Sequence, residues 1–375
     1  MRIAQVAPLY ESVPPRFYGG TERVVAALCD ALVDLGHDVT LFASGESSTK
    51  AALAPARARA LRLDAGLSCD VAAHLMMVEQ VWERAAQFDM IHFHIDCLQV
   101  HLCRDIAHKT LTTLHGRLDL TDLRPFLMRW RQFPLVSISN HQRQPVRAAN
   151  FAGTVYHGFP TTQFDFTAAP EDGYLAFLGR ISPEKRVDRA IEITTRSGVP
   201  LRIAAKVDAV DATYFHTTIE PLLDHPLVEF IGEIGDDQKS EFLGNARALL
   251  FPIDWPEPFG LVMIEAMACG TPVIAWPHGA VPEVLEHGVT GFLVEDVEAA
   301  VKAVSQLGAL DRSRVRQVFE ERFSAQAMAR AYLAIYERLT AERQPMTPPH
   351  VQMPEPGGSA PWVVAAASTP PSPTL

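Results

Sequence analysis

Ala248-Leu-Leu-Phe-Pro252 runs into Ile253-Asp-Trp-Pro-Glu257-Pro-Phe-Gly260, and then into Leu261-Val-Met-Ile-Glu265-Ala-Met-Ala-Cys-Gly270. An apolar run, a Pro/Gly loop and an apolar helical stretch closed by glycine form the repeating unit of parallel α/β sheets. Working outward, the same alternation fills the chain. Strands are predicted at 2–7, 39–43, 90–94, 110–114, 135–139 and 154–157. The pattern then restarts after a polar, Pro-containing stretch near 160–172. The later strands are predicted at 174–178, 201–205, 228–231, 248–251 and 273–275. Helices are predicted at 21–35, where Val24, Val25, Leu28, Leu32 and Leu35 share one face and Gly36 stops the run, and at 183–197. The fold class is α/β: two doubly wound Rossmann-like domains facing across a cleft.

The expected division is 1–160 for a first domain, 161–323 for a second, and 324–340 for an amphipathic helix packing back toward the first domain. The last 31 of 375 residues hold nine of the 28 prolines and no periodicity, so 341–375 reads as a disordered tail. Trp362-Val363-Val364 is its one apolar feature.

Composition narrows the function. A formal charge of −11 argues against a general nucleic-acid binder, because phosphate contacts dominate that affinity. Residues 101–150 run against this balance, with eight Lys/Arg and only Asp105, Asp119 and Asp122. There Arg117, Arg124, Arg129 and Arg131 interleave with Phe126, Trp130 and Phe133. This reads either as a solvated helix with inward aromatics or as a site for a lipid phosphate or membrane surface. Five cysteines without a Cys-x-x-Cys pair fit free thiols in the cytoplasm. No apolar run reaches the ~18–20 residues of a membrane span, so any membrane contact is peripheral.

Ligands of open α/β sheets bind beyond the carboxyl ends of the strands, so the chemistry is sought there. At the end of one strand stands Gly179-Arg180, followed by Ser182-Pro183-Glu184-Lys185-Arg186. Ser182 suits an N-cap and Pro183 a first helical position. Cations in a first turn oppose the helix dipole unless an anion such as phosphate sits over it, the alternative being a solvated basic helix start. In the 248–270 stretch, Glu257 lies in a loop that exposes backbone N–H groups, and Glu265 lies eight residues on in the helix. Both carboxylates can accept bonds from sugar hydroxyls. The plainer readings are a turn residue held by its own loop and a solvated helix position.

Taken together, Glu257-x7-Glu265, Gly-Arg180-x4-Lys185 and the Gly19-Gly20 loop resemble the retaining glycosyltransferases of family 4, which have the GT-B fold. The likeness covers residues 1 to about 340. It is most specific over 230–294, including Gly279-Ala-Val-Pro-Glu283 and Gly288-Val-Thr-Gly291. The resemblance implies that Arg180 and Lys185 hold a donor diphosphate and that Glu265 holds the nucleotide ribose. Glu257, with the backbone of Pro258, Phe259, Gly260 and Leu261, would hold the transferred sugar and phosphate. Gly19 and Gly20 would let the first domain approach the diphosphate. His115, in Thr113-Leu-His115-Gly116, would lie beside the sugar as charge develops. Phe230-Ile231-Gly232 would line the base. Arg186 stands where many members have Gly, as either a further phosphate contact or a surface charge.

The function so implied is retaining transfer of a hexose from a nucleotide-diphosphate sugar, by family frequency UDP-glucose or a relative. No nucleophilic side chain is apparent, so the leaving phosphate would take the acceptor's proton. There is no Asp-x-Asp motif, and Arg180 and Lys185 can replace a metal ion, so no metal or other cofactor is expected. The acceptor, whether small molecule, glycan or lipid-linked sugar, is left open, and loop 10–18 could shape a pocket for a small aromatic one.

Four other readings compete. His92-Phe-His94-Ile-Asp96, with His101 and Cys103, resembles a zinc-ligand string but also reads as a buried strand. Glu257 and Glu265 could be a glycosidase pair, in which the phosphate-binding cations have no role. A nucleotide-sugar epimerase, or a binding protein without catalysis, would use the same charged residues.

Overall fold

The computed structural model describes residues 1–342 apart from 17, 18, 65, 67, 68, 171 and 172. The predicted tail from 343 onward, with Trp362, and the end of loop 10–18 lie outside the described residues.

The first sheet holds β1 (Arg2–Val6), β2 (Asp38–Ser44), β3 (Ala52–Arg57), β4 (Met90–Phe93), β5 (Thr110–Leu114), β6 (Leu135–Ser137) and β7 (Phe151–Thr154). Its order is β3-β2-β1-β4-β5-β6-β7, and every pairing is parallel. The second sheet holds β8 (Tyr174–Arg180), β9 (Leu201–Lys206), β10 (Val228–Gly232), β11 (Ala246–Phe251), β12 (Val273–Ala275) and β13 (Gly291–Leu293). It is also parallel throughout, in the order β10-β9-β8-β11-β12-β13. In each sheet the order reverses once, between β1 and β4 and between β8 and β11. A crevice opens at such a point beyond the strand ends. Arg180 ends β8, and the loop carrying Glu257 leaves β11 at that crevice.

One apolar core runs through both sheets' inner faces, from Ile3, Val25 and Leu28 to Leu249, Met263 and Ile264. The helix Ala325–Ala341 belongs to it. Tyr332 and Tyr336 on that helix are fully buried, and the helix packs along Gly20–Asp34. Ser324 caps it, its hydroxyl accepting from the Ala327 N–H, and thereby satisfies one otherwise open backbone donor.

Three sequence expectations need correction. The strand predicted at 154–157 lies at Phe151–Thr154, in register with β6. Beyond it the chain leaves the sheet, so that the Tyr156 hydroxyl reaches Glu283 at 3.0 Å and His157 reaches the crevice. The helix predicted at 183–197 is two pieces, a 3-10 turn at Pro183–Lys185 and a helix at Val187–Ser197. Arg186 between them is left-handed (φ 54°). Lys185 therefore stands before the helix rather than in its first turn, and the buried Ser182 hydroxyl caps nothing. Two edge strands, β3 and β13, have no counterpart in the prediction. The first is alanine-rich and carries Pro55, and the second is three residues long, so neither shows an alternating apolar pattern.

Candidate functional site

The crevice is a cavity of about 360 Å³, within the range of ordinary ligand sites. The first sheet's side contributes Gly19, Gly20, Arg23, His115 and His157. The second contributes Arg180, Lys185, Lys239, Glu257, Pro258, Phe259, Gly260, Leu261 and Glu265. Of the twelve residues singled out in the sequence, only Gly232 is not in this lining; the Glu233-Ile234-Gly235 that follows it takes the place.

Glu257 sits in a loop shaped by its neighbours. Its carboxylate Oε2 accepts from Lys185 Nζ at 2.5 Å and from Trp255 Nε1 at 3.0 Å. The Lys185 ammonium also lies over the Trp255 and Phe251 rings, at 5.1 and 5.5 Å from their centroids. Gly279 holds the loop from behind. It adopts φ 63°, and a Cβ there would lie 2.3 Å from the Glu257 backbone N and O, so only glycine allows this approach. The Ala280 N–H then donates to the Glu257 carbonyl at 2.9 Å. Gly260, left-handed at φ 87°, turns the loop into the helix Leu261–Ala268. The first backbone N–H groups of that helix have no intrahelical partner, which suits an anion beside them.

Glu265, fully buried on that helix, pairs with Arg23 from the first sheet's side and with Lys239 Nζ at 3.4 Å. Burial alone would push its carboxyl up, but the two cations hold it below the usual carboxylate range. Its Oε2 takes no hydrogen bond. Arg23 is also 3.1 Å from Asp236. Arg180 pairs with Asp208 at 3.3 Å and Glu184 at 3.6 Å, leaving the cavity rimmed by compensated charge.

Arg186 does not line the cavity. It bonds Asp188 and Asp254, so its charge is spent on a local ion-pair cluster. His92 is also engaged. Its Nδ1 meets the Tyr336 hydroxyl at 2.7 Å and its Nε2 the Thr113 hydroxyl at 2.8 Å, which leaves neither nitrogen for a metal. Among the described residues, no cluster of three or more His, Cys, Asp or Glu is arranged to hold a metal ion. In the basic segment Phe133 is buried and Trp130 packs on Phe126, Phe133 and His101, while Arg124, Arg129 and Arg131 face solvent.

With this geometry in view, comparison with known proteins identifies the chain. The family model described as Glycosyl transferases group 1 matches residues 159–322, and that described as Glycosyltransferase Family 4 matches 18–148. The chain belongs to the group 1, family 4 glycosyltransferases. A relative 36% identical over 290 residues is the N-acetyl-alpha-D-glucosaminyl L-malate synthase of Bacillus anthracis, matched over 65% of this chain and 74% of that protein. The phosphatidyl-myo-inositol mannosyltransferase of Mycolicibacterium smegmatis is 26% identical over 369 residues, covering 86% and 88%. Among solved structures, a glycosyltransferase involved in avilamycin A biosynthesis superposes with a TM-score of 0.69 at 23% identity, over 91% of this chain and 98% of that one. Anabaena HepE in complex with UDP and glucose superposes with a TM-score of 0.70 at 19% identity, over 90% and 100%. The fold is therefore GT-B, and no helix among the described residues of this glycosyltransferase is long and apolar enough to cross a membrane.

The sequence reading missed Arg23, Lys239 and His157 as cavity residues. Arg23 had a usable signal. It lies three residues beyond Gly20 on the helix predicted to start there, one turn into the crevice, yet among apolar neighbours a lone Arg reads as a solvated position. Lys239 and His157 have no local motif, and only the tertiary fold brings them to Glu265 and His115.

Proposed function

We propose that this glycosyltransferase is a retaining, metal-independent hexosyltransferase using a nucleotide-diphosphate sugar, UDP-glucose or a relative. The supporting observation is the paired charge at the cavity. Lys185 and Arg180 stand at one wall with Glu257 between Lys185 and the open helix N-terminus, and Glu265 keeps one oxygen unpartnered. A diphosphate entering there would meet two cations and backbone N–H donors, supplying the charge neutralisation otherwise given by a divalent ion. Glu265 Oε2 would accept from the ribose diol, and Glu257 would exchange Lys185 for sugar hydroxyls. As the bond to the sugar breaks, charge gathers on the leaving phosphate, which the same cations stabilise while it takes the acceptor's proton. HepE, of the same fold, was solved with UDP and glucose, which supports this choice of donor.

We place the domain division at 160/161, with the acceptor held by the first domain, and read the five free cysteines as fitting a cytoplasmic protein. The test is turnover of UDP-glucose in EDTA by the Lys185→Ala and Glu257→Ala variants. Glu257→Ala is expected to abolish turnover while binding UDP, and Lys185→Ala to weaken both. Near-native turnover in both variants would overturn the assignment.

A further inference from the structure

Behind the cavity a continuous chain of side-chain hydrogen bonds crosses the first sheet. His115 Nε2 is 2.9 Å from His94 Nδ1, and His94 Nε2 is 2.8 Å from Gln5 Oε1. Gln5 Nε2 is 3.1 Å from the Tyr336 hydroxyl, which is 2.7 Å from His92 Nδ1. His92 Nε2 is 2.8 Å from the Thr113 hydroxyl, and that hydroxyl is 2.8 Å from Tyr332's. Gln5, His92, Thr113, Tyr332 and Tyr336 are fully buried and His94 nearly so. The three strands β1, β4 and β5 supply the central links, and the helix Ala325–Ala341 supplies both tyrosines.

The direction of each bond follows from the donors available. A carbonyl oxygen only accepts, so His94 Nε2 carries the proton and donates to Gln5 Oε1. Burial holds His92, His94 and His157 neutral, with their pKa values well below the ordinary range, and brings His115 down to about 3. A neutral imidazole has one N–H, so His94 Nδ1 is bare and accepts from His115 Nε2. That leaves His115 Nδ1 bare as well, and it has no protein partner. On the far side, the Gln5 amide donates to Tyr336, whose hydroxyl donates to His92 Nδ1, and His92 Nε2–H donates to Thr113. Every link is consistent with a single direction.

We propose that Gln5 and His94 are positioning residues that lock His115, at the edge of the donor cavity, as the neutral Nε2–H tautomer with Nδ1 left as a hydrogen-bond acceptor for a sugar hydroxyl. The imidazole then adds no positive charge beside a sugar that is itself becoming positive in the transition state. The helix Ala325–Ala341, which follows the second sheet in sequence, supports this setting through Tyr336. His157 stacks on the other face of the arrangement, 5.2 Å from the His115 ring and 14° from parallel, and limits its rotation.

The test is long-range ¹H–¹⁵N NMR on histidine-labelled full-length protein, which reads the protonated nitrogen directly. Wild type is expected to show His115, assigned by loss of its signal in His115→Ala, as the Nε2–H tautomer. An Nδ1–H tautomer there would overturn the proposal whatever the variants do. Gln5→Leu is expected to give a mixed tautomer and to lower kcat for UDP-glucose turnover about 10-fold, as for other groups that orient a working imidazole, with UDP affinity unchanged. The hydroxyl-only variant Tyr336→Phe is expected to move both readouts in the same direction by less. A folded Gln5→Leu or Tyr336→Phe protein with wild-type tautomer and wild-type kcat would overturn it too. The kinetic arm rests on the transferase reading above, whereas the tautomer arm does not, so the two failures are distinguishable.

Discussion

The two walls of the cavity are built on opposite electrostatic plans. The second sheet's wall is charged: Arg180 at the end of a strand, Lys185 and Glu257 in turns and loops, and Lys239 and Glu265 on helices, all held in ion pairs. The first sheet's wall carries neutral imidazoles: His115 and His157 stack at the cavity, and behind them His94 joins His115 to a hydrogen-bonded core of Gln5, Tyr336 and His92. A charged wall suits a ligand that brings its own charge. A neutral, acceptor-rich wall suits hydroxyls and a developing cation. Two arginines depart from this: Arg23 reaches from the first sheet's side into the charged wall through Glu265, and Arg117 lines the cavity while paired with Asp119.

Acid should separate the two walls most strongly. The histidine pKa values are depressed in the folded protein, so the unfolded chain binds more protons once the pH drops below ~6.5. Each such histidine then costs about 1.4 kcal/mol of stability per pH unit, and four together several kcal/mol by pH ~5.5. The charged wall behaves differently. Glu265 is held low by Arg23 and Lys239, so its contribution persists above the ordinary carboxylate pKa and is lost only as the pH falls through its own lower value. Denaturant midpoints between pH 7.5 and 5 should therefore fall steeply below 6.5. A flat profile down to pH 5 would mean that the histidine wall is not buried and neutral as described.

Next in size is Glu265→Leu, which strands Arg23 and Lys239 without their buried partner. A loss of roughly 3–5 kcal/mol is expected from urea unfolding, and UDP affinity should fall with it. Lys185→Ala should cost about 3–4 kcal/mol of transition-state stabilisation, ~10²–10³ in kcat/KM, with little change in fold stability. Arg186→Ala sharpens the contrast, because its ion pairs are outside the cavity and partly exposed. It should change stability by less than ~1 kcal/mol and leave kcat within a few-fold. A loss of activity matching that of Lys185→Ala would place Arg186 at the phosphate after all.

The walls also differ in how far they were legible. The charged wall is written in short-range code. Gly179-Arg180 and Lys185 lie in one short segment and Glu257 and Glu265 in another, each running out of a strand, and strand ends predict where such residues converge; Lys239 alone of the five charged residues carries no local signal. The neutral wall is built from residues up to 331 positions apart, Gln5 and Tyr336, whose juxtaposition depends on three parallel strands and a returning helix. His92 and His94 were visible as alternating strand residues, but alternation alone could not say whether they bind metal or each other's neighbours. The break at Arg186 was hidden for a similar reason. The stretch 183–197 has helical periodicity, whereas the left-handed residue inside it is fixed by bonds to Asp188 and to Asp254, the latter 68 positions away.

The measurement that tests the central claim most directly is the affinity of UDP in EDTA, by calorimetry, for wild type and for Lys185→Ala and Glu265→Gln. The account predicts metal-free binding by wild type, weakened about 10-fold or more in both variants through loss of charge-assisted contacts. Binding that requires a divalent cation, or that both variants leave unchanged, would contradict it.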